Sequence, residues 1–300
     1  MLVLGMHRSG TSALSRMLNL YGLDIASRLL PASENNRRGF WESEELVALH
    51  DQLMHQFGRE WHDIFPLPEK WLESETINNF RPLLLDYLER DFGHSKAFVI
   101  KDPRLCRLLP LWQSVLEEFG AQIRIVFVLR NPLEVAASLQ ARHGLSIPLA
   151  QGLQLWLCYN LEAEFYSRDI PRSFVSYENL LDDWKNTLKL MTKELELPFL
   201  HSDEGTDQII DDFLSNSQRH HHADSGELEA HAAVTTPIRQ AYQALRGLLA
   251  NPKDSECYRT LDNLRRQMYL SMSWVTPLLS EHKKRHELAR NDRQQLMQQI

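Results

Sequence analysis

The chain of 300 residues is poor in cysteine, has an excess of acidic residues and lacks a long apolar run. Its three cysteines, Cys106, Cys158 and Cys257, lie far apart, which argues against a disulfide framework and a zinc site. A formal net charge of -7 argues against a general nucleic-acid binder and a polybasic membrane binder. No stretch reaches the roughly 18 apolar residues of a membrane helix, and the apolar start passes into "HRSG" too soon for a signal peptide. We therefore expect a cytoplasmic protein without a transmembrane segment.

A lysine is also absent at a position where a phosphate-binding loop would carry one. The opening "MLVLGMHRSGTS" has Gly5 and Gly10 at the spacing of a P-loop, but Thr11 stands at the lysine position. Backbone N–H groups at the start of a helix suit a phosphate by geometry and by the helix dipole. Because Arg8 is the nearest cation, the loop suits a short, doubly charged group better than a nucleoside triphosphate. The alternative is an ordinary turn in which Ser9 or Thr11 caps the helix.

Apolar runs alternate with helical patterns, which predicts a parallel sheet with helices on both faces. The predicted strands are 2–5, 97–100, 123–129 and 173–177, and the predicted helices between and after them include 11–23, 104–119, 132–142 and 149–169. Each strand ends in a polar segment, in the order "GMHRSG", "KDPR", "RNP" and "YEN". Since ligands bind at the carboxyl ends of parallel strands, we expect these segments to face one site.

From about residue 227 the pattern is helical only, with predicted helices over 235–251, 255–275 and 277–300. The predicted fold class is thus α/β: a P-loop-type parallel sheet flanked by helices in residues 1–226, followed by a helical extension over 227–300. No motif lies in the extension, so we expect it to be peripheral to the chemistry. Its polar last helix has a coiled-coil-like pattern and suits a homo-oligomer contact.

Several segments together resemble the sulfotransferases that use 3′-phosphoadenosine 5′-phosphosulfate (PAPS). "HRSGTS" at 7–12 is similar to their 5′-phosphosulfate loop, with His7 in place of the usual proline. Their second signature is an arginine at a strand end followed eight residues later by a serine, the pair that holds the 3′-phosphate. "RNPLEVAAS" matches it with Arg130 and Ser138.

Three further segments extend the resemblance over about residues 1–225. "KDP" at 101–103 is similar to a segment of the tyrosylprotein branch, and "SYENL" at 176–180 to a segment whose tyrosine lies near the nucleotide. "SQRHHH" at 217–222 is similar to a late segment of bacterial members, which lies over the 3′-phosphate. The helices of the extension match nothing in the family.

The resemblance implies a PAPS-dependent sulfotransferase that transfers a sulfuryl group to a hydroxyl or amine acceptor. The product would be adenosine 3′,5′-bisphosphate, and no metal is expected. The residues that the resemblance assigns to the nucleotide are Arg8, Ser9, Gly10, Thr11, Ser12, Arg130, Ser138, Tyr177, Arg219 and His220.

Sulfuryl transfer needs fixed cations near the bridging oxygen, because negative charge develops there. Arg8 in the loop and Lys101 at a strand end are the candidates, and Arg104 is a further candidate for contact with sulfate or substrate. The alternative for Lys101 is an ion pair with Asp102 or with a helix acid. For Arg130 the alternative is an exposed position at the end of its strand.

A base is needed for the acceptor hydroxyl, and Glu42 and Asp102 are the candidate carboxylates. Glu42 lies in "RRGFWESEEL", which resembles the segment carrying the catalytic glutamate in the tyrosylprotein and heparan branches. We favour Glu42, because Asp102 is placed to orient Lys101 or to cap the helix near Arg104. The alternative for Glu42 is a helix-start acid that interacts with the dipole. His50, further along that helix, is expected at the surface or in a supporting position.

Two other classes of protein stay open. A P-loop kinase-like enzyme is disfavoured by Thr11, and a non-catalytic nucleotide-binding scaffold by the joint presence of the charged candidates. The triple His220 to His222 suggests anion contact or exposure rather than a metal, since no partner ligand accompanies it. Acceptor pockets are built from variable loops, so carbohydrate, lipid-linked sugar, peptide tyrosine and small metabolite all remain.

Overall fold

The computed structural model describes residues 1–32, 39–143, 146–197, 204–215 and 225–298. Within these ranges four strands form one sheet: β1 Leu2–Leu4, β2 Ile100–Lys101, β3 Ile125–Leu129 and β4 Arg172–Ser176. Their order is β2-β1-β3-β4, and every neighbouring pair is parallel. The predicted α/β class with a parallel sheet is confirmed, and each strand lies at or within two or three residues of its predicted place.

Helices follow the strands and cover the sheet. They are α1 Thr11–Leu20, α2 Glu44–Gln56, α3 Glu75–Phe92, α4 Leu105–Glu118, α5 Pro132–His143, α6 Leu149–Tyr166, α7 Tyr177–Asp182, α8 Trp184–Glu194, α9 Glu204–Ser215, α10 Ser225–Ala230, α11 Thr236–Ala250 and α12 Ser255–Gln298, with a 3-10 turn at Trp71–Glu73. No helix in these ranges is both long and apolar enough to cross a bilayer.

The central strands are apolar on both faces because helices bury both sides of the sheet. Successive side chains of a strand point to opposite faces, so Leu2 and Leu4 join one apolar cluster and Val3 joins the other. The larger cluster includes α3, α4 and α6, whereas α1, α8 and α9 pack against the smaller one. This sandwich holds the carboxyl ends of the strands, and hence their polar segments, along one edge.

The helix α11 is part of the larger core. Its buried face, formed by Ile238, Ala241, Tyr242, Leu245 and Leu248, lies in the same cluster as β1 and β3. It packs against α6 and β4. The domain boundary near residue 226 stays a prediction, but this face ties the first long helix after it to the α/β core.

The last two predicted helices form one continuous helix, α12, so the predicted break between them is wrong. Pro277 lies inside this helix, where it removes a backbone donor to the carbonyl of Ser273 four residues earlier. Ser273 is exposed, so water can satisfy that carbonyl. Thr276 donates its hydroxyl to the carbonyl of Met272 at 2.6 Å, a further bond across the same turn.

Candidate active site

The loop between β1 and α1 has the backbone of an anion-binding loop. Gly5, Arg8 and Gly10 have φ of 149, 71 and 93°, and Arg8 adopts this left-handed conformation although it carries a side chain. Gly10 caps α1 without a side chain, so the amides of the first helical turn have no capping side chain. Ser9 is fully buried, and its Oγ has no hydrogen-bond partner among the described residues. Uncapped amides beside a buried hydroxyl fit an anionic ligand.

The ring of Tyr177 lies directly against Gly10. A Cβ built on Gly10 would lie 2.1 Å from Cδ2 of this ring, so only glycine fits here. Tyr177 begins α7 at the end of β4, and its ring also lies 4.6 Å below the Arg130 guanidinium. A residue at the end of β4 thereby packs against the loop between β1 and α1.

Substitution of Gly10 tests this contact, and Gly22 is a matched control. Both glycines have φ of +93°, but a Cβ on Gly22 would meet nothing within 4 Å. Gly22→Ala should cost about 1 kcal/mol of unfolding free energy from the left-handed backbone alone. Gly10→Ala should cost roughly 2–4 kcal/mol, because the clash adds to that strain. Urea unfolding measures both values, and equal losses would contradict the tight contact with Tyr177.

The predicted pair Arg130 and Ser138 is brought together through Arg8. Nε of Arg8 donates to Oγ of Ser138 at 2.9 Å, and Nη1 of Arg130 donates to the carbonyl of Arg8 at 2.8 Å. Nε of Arg130 donates to Glu134 at 2.8 Å, so its guanidinium is held on two sides. Burial lowers the pKa of Arg8, and the nearby charges of Arg142 and Arg130 lower it further.

Arg8 differs in its partners from Lys101, Arg104 and Arg130. In the described part of the chain no carboxylate lies within ion-pair distance of Arg8, whereas Lys101, Arg104 and Arg130 each pair with one. Its only side-chain partner recorded there is the neutral hydroxyl of Ser138. A partly buried guanidinium crowded by other cations favours the binding of an anion.

Lys101 and Glu42 form a buried ion pair at the end of β2. They are 5% and 6% exposed, and Nζ of Lys101 donates to Oε1 of Glu42. The same Nζ donates to Oγ of Ser12 at 3.2 Å and to the carbonyl of Phe40 at 3.3 Å. Burial raises the pKa of Glu42, against the opposing effect of Lys101. Both predicted catalytic groups thus lie beside the start of α1.

Asp102 is held in a separate buried network. Its Oδ1 accepts hydrogen bonds from the backbone N–H and from Nη1 of Arg104, both at 2.9 Å. Its Oδ2 lies 2.8 Å from Nδ1 of His50, whose Nε2 accepts the indole N–H of Trp112 at 2.8 Å. An indole only donates, so neutral His50 carries its proton on Nδ1 and donates to Asp102. Of the two positions expected for His50, the supporting one is found and the surface one is not, because the residue is fully buried against Asp102.

These contacts occupy both oxygens of Asp102. Burial alone would raise the pKa of Asp102, but the Arg104 guanidinium and the hydrogen bond from His50 hold it well below its usual range. Arg104 also makes a two-point contact with Asp51 at 2.7 and 3.1 Å. The arrangement anchors the start of α4 to α2 and suits a structural role for Asp102.

Asp102→Asn should lower the free energy of unfolding by about 3 kcal/mol at neutral pH, because it breaks a buried charge pair. The folded-state pKa of Asp102 lies below its unfolded value of about 3.9, so its stabilisation is complete above that pH and is lost as the pH falls further. The difference from wild type in urea unfolding should therefore shrink below about pH 4.

Asp51→Asn is the control for this prediction. Asp51 contacts the same guanidinium, but its side chain is 38% exposed, so its removal should cost less than about 1 kcal/mol. Equal losses for the two variants, or a difference for Asp102→Asn that persists unchanged in acid, would contradict the buried network.

A cluster of aromatic and histidine side chains, missed by the sequence analysis, lies beside the loop. The His7 ring packs against Trp61 and Tyr159 with centroids 4.5 and 5.9 Å apart, and Trp61 contacts His143 at 5.4 Å. Burial, reinforced by Arg104, lowers the pKa of His7 well below its usual range, and its Nε2 has no partner among the described residues. His7 lies in the "HRSGTS" segment, but no motif marks Trp61, Tyr159 and His143, which come from separate segments that meet only in the fold.

The remaining predicted residues are placed as follows. Thr11 and Ser12 begin α1, and Thr11 is buried. Arg219 and His220, together with the rest of the triple histidine, lie outside the described residues. In the ranges that the structure covers, no group of three or more metal-ligating side chains lies together. Trp41 packs under the guanidinium of Arg16 at 4.5 Å.

Two solved structures are similar to this chain. One is the sulfotransferase domain from the Synechococcus PCC 7002 olefin synthase, with 18% identity over 88% of this chain and 93% of that chain and a TM-score of 0.45. The other is the sulfotransferase domain from the curacin biosynthetic pathway, with 16% identity over 88% of this chain and 96% of that chain and a TM-score of 0.40. No protein-family model and no curated protein matches the sequence. By their titles both structures belong to the class that the motifs resemble, but at these identities and scores neither defines the activity of this protein.

Proposed function

We propose that the protein is a sulfotransferase that uses PAPS as its donor and a hydroxyl-bearing acceptor. The observation that carries this proposal is the pairing of charges at the carboxyl edge of the sheet. Lys101, Arg104 and Arg130 each have a carboxylate partner, whereas Arg8 has a neutral hydroxyl and two cationic neighbours. A terminal phosphosulfate beside Arg8 would complete the charge balance of this edge.

The loop geometry supports the 5′-phosphosulfate as the group bound there. The uncapped start of α1, the buried hydroxyl of Ser9 and the guanidinium of Arg8 offer donors around one small volume. A triphosphate would need further positive charge along its length, which P-loop enzymes supply with the loop lysine and magnesium. Thr11 stands in place of that lysine. The kinase-like alternative is therefore less well supported than the sulfotransferase.

Two cations are suited to the charge that develops during transfer. PAPS supplies a sulfuryl group activated by its bond to phosphate. We assign Arg8 to the phosphosulfate oxygens and Lys101, which donates a hydrogen bond to Ser12 at the start of α1, to the departing phosphate. Because both are already fixed by hydrogen bonds, little reorganisation is needed as charge moves.

Glu42 is the carboxylate that we assign as general base. Burial raises the pKa of Glu42, which brings a carboxylate closer to the range useful for proton abstraction. When Glu42 takes up a proton, the positive charge of its partner Lys101 becomes available to pair with the leaving phosphate. Asp102 has both oxygens engaged and a depressed pKa, so we assign it the positioning of Arg104 and α4.

The acceptor side is assigned to the cluster of His7, Trp61, Tyr159 and His143. Aromatic faces and an unpartnered imidazole nitrogen suit a ring-bearing molecule with hydroxyl groups, so saccharides and phenols are both candidates. A cytoplasmic location, and a homo-oligomer through α12, stay predictions.

Ligand binding tests the donor assignment. Adenosine 3′,5′-bisphosphate should raise the melting temperature of the protein, because a ligand at a hundredfold excess over its Kd adds about 2.7 kcal/mol to the folded state. ATP with magnesium, at the same concentration, should raise it far less. Thermal unfolding with each ligand, with and without magnesium, makes the comparison. Equal shifts, or a requirement for magnesium, would favour the kinase-like alternative.

Turnover of a radiolabelled donor with a panel of phenols and saccharides tests the base. Glu42→Gln keeps the shape and removes the proton acceptor, so the rate should fall by roughly 10²–10⁴ while Kd for adenosine 3′,5′-bisphosphate changes little. Glu44→Gln is the control: Glu44 lies two residues from Glu42, its carboxylate is half-exposed, and its substitution should leave the rate unchanged. A rate for Glu42→Gln close to that of wild type would refute the assignment, and no transfer by wild type to any acceptor would favour the scaffold alternative.

A further inference from the structure

A cavity of about 350 Å³ lies between the segment 64–73, α6 and α12. Much of its wall consists of aliphatic and aromatic side chains, namely Ile64, Leu67, Trp71, Leu72, Tyr166 and Met268. Among the described residues that line it, none belongs to the loop between β1 and α1 or to the cluster of His7, Trp61, Tyr159 and His143. The cavity is therefore separate from the candidate active site.

Arg107 of α4 is the most deeply buried cation that lines this cavity. The residue is 4% exposed, and its guanidinium donates from Nη1 to the carbonyl of Asp63 at 2.9 Å and from Nη2 to the carbonyl of Phe65. Both acceptors are neutral, and the carboxylate of Asp63 accepts the backbone N–H of Glu60 at 2.8 Å instead. In the part of the chain that the structure describes, no carboxylate lies within ion-pair distance of this guanidinium. A buried cation without a counter-ion is costly, so the cavity favours a ligand that brings negative charge.

The other charged groups that line the cavity are already compensated or exposed. Arg265 of α12 donates from Nε to Glu162 at 3.1 Å and from Nη2 to the hydroxyl of Tyr166 at 3.1 Å, so its charge is paired. Water screens the remaining charged side chains, which are exposed: Glu69, Lys70 and Glu73. Among the described lining residues, Arg107 is thus the cation that an anion in the cavity would pair with.

The donors of Arg107 and the size of the cavity define a class of ligand. A guanidinium has five N–H donors, and the two carbonyls use two of them, so three remain for a ligand. A carboxylate matches this planar group better than any other common anion except phosphate. The volume lies near the lower end of the range of about 300–1,000 Å³ for small-molecule pockets, and the apolar wall suits one ring or a short chain.

We propose that this cavity is a second ligand site, which binds a small carboxylic acid with an apolar body and pairs the carboxylate with Arg107. The inference does not rest on the proposed function, because it concerns a cavity outside the candidate active site. Ile64, which lines the cavity, lies three residues after Trp61 of the acceptor cluster. The second site therefore adjoins the acceptor side without sharing its residues.

The test compares two acids with their neutral amides on the full chain. The probes are phenylbutyrate with phenylbutyramide and octanoate with octanamide, and calorimetry gives each Kd. At least one acid should bind to wild type about tenfold more tightly than its amide, the lower end for a hydrogen bond to a charged group. Arg107→Gln should remove this preference, because glutamine keeps a donor for the carbonyls but lacks the charge. Lys70→Gln is the matched control, since Lys70 is an exposed cation of the same cavity, and it should change each Kd by less than about twofold.

A second variant locates the site and does not depend on the folding of Arg107→Gln. Met268→Trp adds bulk to the cavity from α12 at a partly exposed position, so it should weaken binding of acid and amide alike by at least about tenfold. The proposal is overturned if wild type binds neither acid, if it binds acid and amide equally, or if Met268→Trp leaves binding unchanged. It is also overturned if Lys70→Gln, rather than Arg107→Gln, removes the preference for the acid.

Discussion

Burial of positive charge at one edge of the sheet is the constraint on which the rest of this structure depends. Cations removed from water are costly unless carboxylates or bound anions compensate them. The chain as a whole is acidic, so this concentration of arginine and lysine is local. Lys101 ends β2, Arg104 lies shortly after it and Arg130 follows β3, and each is within reach of an acid from a neighbouring helix or loop. The acids contributed by α2 and its preceding segment thereby help to fix the strand ends in place.

The same pairing separates two carboxylates that look alike in sequence. Asp102 is bonded on both oxygens and is kept ionised by Arg104, which makes it a good anchor and a poor proton acceptor. Glu42 shares its single cation with Ser12 and a backbone carbonyl, and burial raises its pKa. The surroundings of the two carboxylates, rather than their residue type, therefore assign the anchoring role to Asp102 and the proton-accepting role to Glu42. Two carboxylates in one active site can differ in role for this reason.

The sequence predicted those features of the fold that depend on short stretches of chain and on general rules of sheet topology. Apolar runs predicted the strands that the structure describes, and the two central strands, β1 and β3, are apolar throughout because helices cover both of their faces. Gly5 and Gly10 marked the loop because only a left-handed backbone turns tightly enough there. The proximity of Arg8, Arg130 and Ser138 followed from the rule that parallel strands end at one edge.

What the sequence did not reveal depends on contacts between distant segments. Nothing local distinguishes His50 from an exposed histidine, since its burial depends on Trp112 and Asp102, which lie more than fifty residues away. The role of α11 in the core depends likewise on its packing against α6. The segments 255–275 and 277–300 were predicted as separate helices, but α12 continues through Pro277 because the carbonyl that loses its backbone donor is on an exposed residue and can bind water.

The most direct test of the charge balance at this edge is a crystal structure with adenosine 3′,5′-bisphosphate bound. We expect oxygens of the 5′-phosphate within about 2.7–3.2 Å of the Arg8 guanidinium and of backbone amides at the start of α1. A nucleotide bound away from the loop, with the Arg8 guanidinium still donating to Ser138 and not to the nucleotide, would contradict the central claim that Arg8 binds the donor.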